Sequence, residues 1–256
     1  MNNNLLFNFN TDISNVKIPS SLNNPFGLEV SEITKIAAIE FQEFIELKSK
    51  EWGYDFLEKK GKMFGVLVVQ LEDVSFAYLG TASGKLPENI LCHEFVPSVF
   101  DDSVDDYFIN KGMTAMTEIS KQIKGAKNPS EIESLKEKRR EKSIALQQQL
   151  FENYQFLNLS GEEKKLIEIF RIAINKMPPS AAGECAAPKL LQYAIKHGLK
   201  PISLAEFWWG NSANHKERKH KVFYPACKDK CKPILEYMLQ DDDLYNNANL
   251  AILSVK

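Results

Sequence analysis

Three of the four cysteines fall in two short strings, AAGECAAPKL (181–190) and YPACKDKCKP (224–233), about forty residues apart. Cys185 is expected at the N-terminus of a helix. Cys227, just after Pro225, is expected at another helix start, with Cys231 four residues on and therefore on the same face. Unpaired N–H groups at a helix N-terminus favour the thiolate, and the thiolate is the form that binds zinc. Zinc takes three or four N/S ligands in a tetrahedron, so Cys185, Cys227 and Cys231 form a candidate zinc set, with His215 or His220 as the fourth donor. Free cysteine is also among the most buried residue types, so core filling or capping is the competing reading. Redox or nucleophilic use is the third.

A second set is the loop NHKERKHKVFY (214–224), where Lys216, Arg218, Lys219 and Lys221 face one acid, Glu217, with His215 and His220 interleaved. Such a cluster can neutralise phosphates, and the neighbouring Trp208 and Trp209 could stack on bases. The alternative is a solvated loop beside core aromatics. Asp101, Asp102, Asp105 and Asp106 form an acidic cluster without the glycine and spaced glutamate of an EF-hand, so a solvated turn is expected. Cys92 and His93 adjoin in a loop, and His197 reads as a helix C-terminal residue.

The 256-residue chain is 44% hydrophobic and 26% charged with a formal charge of −2, which suits one folded core and argues against a nucleic-acid coat over its whole surface. No apolar run approaches the roughly 20 residues of a membrane span, so no membrane partner is expected. The N-terminal string lacks a basic residue before Lys17, and four cysteines in such a chain point to a reducing, cytoplasmic setting without disulfides.

Around these residues the patterns predict a helix over 30–50 capped by Ser31, and a hairpin from 61–70 and 74–83. Helices follow over 111–125 and 130–157, the second opened by a Ser130–Glu133 capping box and highly charged in its first half. Another helix covers 164–173, then comes a helix from 184 to 197, a strand over 200–210 and a helix after Cys227. The expected organisation is an N-terminal extended arm (1–28) and one α/β or α+β domain (29–110 and 160–240). A projecting helical hairpin is inserted at 111–159, and the tail runs over 241–256. The fold class is a small mixed sheet with flanking helices.

The order hairpin, GECAAPKLL helix, strand, YPACKDKC helix looks deaminase-like. Zinc deaminases carry a Cys/His-x-Glu helix and a later P-C-x-x-C helix. Here Ala187 stands where that glutamate would be, Glu184 precedes the cysteine, and three residues separate Cys227 from Cys231. By this likeness the chain is a divergent zinc hydrolase acting on a nucleobase or nucleotide.

A longer resemblance covers about residues 60–240. The strings GKMFGVLVV, LGTASGKL, FVPSVFD, PPSAAGECAAPKLLQYAIKHGLKPISLAEFWWG and FYPACKDKCKPILEYML, with the helix KEKRREKSIALQQQLFENYQFLN, resemble the N-terminal region of long-form RluA-family RNA pseudouridine synthases. In that family the catalytic domain carries an H-R-L-D motif, which does not occur in this sequence, so no catalytic residue is carried over. The resemblance implies an accessory domain in RNA modification. Its partners would be structured rRNA or tRNA and a pseudouridine synthase catalytic domain.

Overall fold

The string MFGVLVV (63–69) is apolar without alternation, the pattern of a strand covered on both faces. A computed structural model describes residues 5–86, 90, 92–100, 106–212 and 218–240, and there this string is central. Asp101, Asp102, Asp105, His215, Lys216 and the tail from 241 lie outside the described residues. In chain order the elements are β1 (Phe7–Asn8), α1 (Glu32–Trp52), β2 (Lys62–Gln70), β3 (Phe76–Ala82), α2 (Asp106–Gly125), α3 (Pro129–Glu152) and β4 (Gln155–Leu157), followed by β5 (Glu163–Lys165), α4 (Leu166–Ile174), α5 (Ala186–Lys196), β6 (Lys200–Trp209), β7 (Phe223–Tyr224) and α6 (Lys228–Met238).

The fold is mixed α/β. The main sheet has the order β1-β3-β2-β6-β7, and β4 and β5 form a separate ribbon. Every strand pair is antiparallel, where the sequence led to a mixed sheet. None of the described helices is long and apolar enough to cross a membrane.

Strand alternation sorts the core into two layers. From β2, Phe64, Val66 and Val68 face α1, while Leu67 and Val69 join the layer under α4, α5 and α6. Phe41 of α1 is the hub of the first layer, with ring centroids 5.3 Å from Phe95, 5.6 Å from Phe7 and 6.4 Å from both Phe64 and Phe207. Gly80 of β3 makes this possible, because a Cβ there would lie 2.2 Å from the Phe41 ring.

Residues 5–28, within the stretch 1–28 expected as an extended arm, lie against the domain. Two residues of this stretch form β1 on the edge of β3. The Asn10 and Thr11 backbone N–H groups donate to the buried Glu40 carboxylate at 3.1 and 2.8 Å. Asn23 reaches the outer edge of β6. Its Nδ2 donates to Leu204 O at 2.9 Å, and its Oδ1 accepts from Leu204 N at 2.7 Å.

The charged helices α2 and α3 form an antiparallel pair. Leu146 packs over Gly112, and Arg139 Nε donates to Ser120 Oγ at 2.9 Å. The cap of α3 is Asn128, whose side chain accepts from Ser130 N, with Pro129 in the first turn. The expected Ser130–Glu133 box gives way because Pro129 lacks the N–H that an earlier helical turn would leave unused, which starts the helix one residue sooner.

Candidate functional site

Cys185 is the N-cap of α5 and Cys227 the N-cap of α6. The two helices pack side by side against the same layer, so their N-termini open onto one cavity of about 250 Å³. Cys185, Cys227, Glu184, Glu206, Arg218 and Lys230 line it. Cys231, one turn inside α6, is fully buried, and its thiol is hydrogen-bonded to those of both Cys185 and Cys227. The three sulfurs are thus neighbours.

The environment divides their chemistry. The Cys231 thiol, helped by the Lys230 and Asp229 backbone N–H groups of the first helical turn, pulls Cys227 down to about 5. Cys231 is driven upward by Cys185 and Cys227 and then by burial, so it holds its proton. Cys92 lies elsewhere, where burial and Glu94 push it up to about 12. In chelator-containing buffer, iodoacetamide is therefore expected to modify Cys227 with a rate that rises through a midpoint near pH 5. Cys92 and Cys231 should stay unmodified at neutral pH. Peptide mapping by mass spectrometry reads each site.

Glu206 is the functional residue that the sequence reading missed. It lies in β6 with only 5% exposure, and its Oε1 accepts from Ala187 N in the first turn of α5 at 3.0 Å. Its partner across the sheet is Gly65 of β2. A Cβ on Gly65 would meet Ala186 Cβ at 2.8 Å and Leu190 at 3.2 Å, so glycine there lets α5 settle close enough for the carboxylate to reach its first turn. Burial pushes Glu206 up to about 7. The available signal was a lone acid inside the apolar run LAEFWW.

The helix carries a second buried ionisable group. Lys189 is 5% exposed, donates to Ala82 O at 2.9 Å, and is brought down to about 8 by burial. Glu184, the acid beside Cys185 in sequence, is engaged elsewhere. Its carboxylate accepts from Tyr154 Oη and, at 3.0 Å, from Ser98 Oγ.

His220 is placed on the far side of the sheet from the thiols. Trp208 and Trp209 are consecutive in a strand, so their rings point to opposite faces. Trp208 lies on the cysteine side with Arg218 5.2 Å from its ring. Trp209, 4% exposed, lies on the α1 side against His220 (4.3 Å between centroids) and Lys221 (5.3 Å). His220 Nδ1 accepts from Gly210 N at 3.0 Å. This group borders a separate cavity of about 520 Å³ between α1 and the end of the sheet. The expected pairing of His220 with the three cysteines is corrected accordingly, because the sheet separates them.

The basic loop is likewise committed in part. Arg218 lies between the Trp208 and Tyr224 rings, at 5.2 and 5.4 Å, and the Tyr224 hydroxyl accepts from Lys219 N at 2.7 Å. Buried Trp209 offers no open face for a base.

Among the described residues, no group of three or more His, Cys, Asp or Glu side chains stands in metal-holding geometry. Compared with protein-family models, curated proteins and solved structures, the chain matches none.

Proposed function

We propose that the chain is a non-catalytic, RNA-facing domain associated with RNA modification. The observation that carries this reading is where the cations gather. The formal charge is −2, yet Arg218 and Lys230 stand at the cysteine-lined cavity, with Lys219 next to Arg218 in the chain and Lys62 at the start of β2. Lys62 begins β2 opposite Trp209, which ends β6. Arg218 and Lys230 line the cavity itself. Among the described residues no ion pair uses any of these four. Local positive charge on a near-neutral protein favours a polyanion at that end.

The Arg218 guanidinium also lies near two aromatic rings, a contact that restrains it without neutralising it. The resemblance of the 60–240 strings to the N-terminal region of RNA pseudouridine synthases supports the same direction. In this reading the domain holds structured rRNA or tRNA for a pseudouridine synthase catalytic domain.

The test is binding of bulk tRNA at several salt concentrations. The R218A/K219A/K230A variant is expected to bind at least tenfold more weakly. Its log–log salt slope should be shallower by about 2, since each lost phosphate contact removes roughly 0.7–0.9. Unchanged affinity and slope, in a variant whose thermal melt matches the parent, would sink the proposal.

A further inference from the structure

We propose a closed zinc site in the cavity at the N-termini of α5 and α6, filled once the side chains turn toward one point. Cys185, Cys227 and Cys231 are its thiolate ligands, and Glu206, from strand β6, is the fourth donor.

Cys185, Cys227 and Glu206, from three separate elements, line one cavity, and Cys231 lies one helical turn behind Cys227. Two thiols come from helix caps, one from the next turn of α6, and the carboxylate rises from the sheet beneath α5. Three sulfurs and one oxygen form a set that zinc accepts, and short cysteine side chains on helix ends leave little reach to spare. The supporting contacts are already made. Backbone N–H groups of Asp229 and Lys230 point to the Cys227 sulfur, and Ala187 N–H holds one oxygen of Glu206. Fixed second contacts of this kind orient metal ligands.

As the side chains stand, the Cys231 thiol is engaged with its two neighbours rather than directed at a common point. Loading the site requires loss of thiol protons and rotation about the Cα–Cβ bonds, both ordinary parts of zinc uptake. The other acids and imidazoles near in sequence are excluded by position. Glu184 is tied to Tyr154 and Ser98, and His220 is across the sheet.

Lys189 supplies an independent argument. An ammonium group at 5% exposure, bonded to a carbonyl, is costly unless negative charge lies close by. Of the groups around it, Glu184 favours the charge and the Cys185 side chain stands within reach. Three thiolates and a carboxylate around one divalent cation carry net charge −2, which offsets Lys189 and the cavity cations Arg218 and Lys230. A fourth protein donor also leaves no open position for water, so the centre is structural and does not hydrolyse a nucleobase.

The experiment is metal analysis of the full chain purified without added zinc. About one equivalent of zinc is expected. Cobalt exchanged into the site should show thiolate charge-transfer absorption in the near ultraviolet and the intense visible bands of a tetrahedral ion. C227S and C231S should each fall below about a tenth of an equivalent, while H220A keeps the parent's content. E206Q should bind zinc about tenfold or more weakly in a chelator competition. Less than about a tenth of an equivalent in the parent, with no cobalt spectrum on reconstitution, overturns the site. Zinc loss in H220A, or unchanged affinity in E206Q, overturns the donor set. Because R218A/K219A/K230A keeps all four donors, its zinc content separates failure of this inference from failure of the RNA reading.

Discussion

Replacing Phe41 with alanine is expected to remove about 3–5 kcal/mol of stability, the range for deleting a fully buried aromatic ring. Phe41 is inaccessible to solvent and meets Phe7, Phe44, Phe64, Phe95 and Phe207. These partners come from β1, α1, β2, β6 and the loop before α2, so the cavity left behind has no single element that can collapse into it. Urea unfolding followed by tryptophan fluorescence measures the effect. Phe44, on the same helix but partly exposed, is the control. Its alanine variant should lose less than half as much. Equal losses would show that the aromatic layer relaxes freely, contrary to its close packing.

The second large effect is expected at Gly65, and it links packing to the thiols. Gly65→Leu places a side chain where Ala186 and Leu190 already stand, at separations of 2.8 and 3.2 Å from the first added carbon. Overpacking of this kind costs about 1–3 kcal/mol. The helix must lift, which breaks the Ala187–Glu206 hydrogen bond and carries Cys185 away from Cys231. The iodoacetamide midpoint of Cys227 should nevertheless stay near 5, since Cys231 and the backbone N–H groups that favour its thiolate all belong to α6 and do not move with α5. A midpoint that climbed toward the ordinary thiol range near 8.5 would mean that the overpacking displaces α6 as well as α5.

Much of the fold could be read from periodicity. The hairpin of β2 and β3, the helices at Glu32–Trp52 and Ala186–Lys196, and the strand ending in FWWG all carry a strong repeat and run for seven residues or more. The strands that escaped reading are β1, β4, β5 and β7, two or three residues each. No repeat fits in so short a string, and tertiary contacts alone make such segments extended. The direction of the sheet was also hidden, because alternation within a strand says nothing about its neighbour's polarity.

The candidate site was legible in parts. Spacing placed Cys227 and Cys231 on one face of a helix, and Cys185 at a helix start, because those are local facts. Glu206 was invisible to local reasoning, since its significance comes from a glycine 141 positions earlier that stands opposite it in the sheet. The separation of His220 from the thiols followed from a rule available in the string itself. Two adjacent tryptophans in a strand must look in opposite directions. The histidine lies with one and the cysteines with the other.

Asn23 has a consequence for how partners approach. A primary amide offers one donor and one acceptor, the same pair that a peptide group presents along a strand. By taking both backbone groups of Leu204, just beyond the two-residue β7, Asn23 ends the ladder as a false rung. On the opposite margin β1 occupies β3. An incoming chain cannot lengthen this sheet at Leu204 without first evicting that side chain. Recruitment by strand addition, a common way for one protein to seize another, is therefore blocked there. Visitors must come to the ends of the sheet or to its helical faces, and the end rich in lysine and arginine is the one that favours a negatively charged guest.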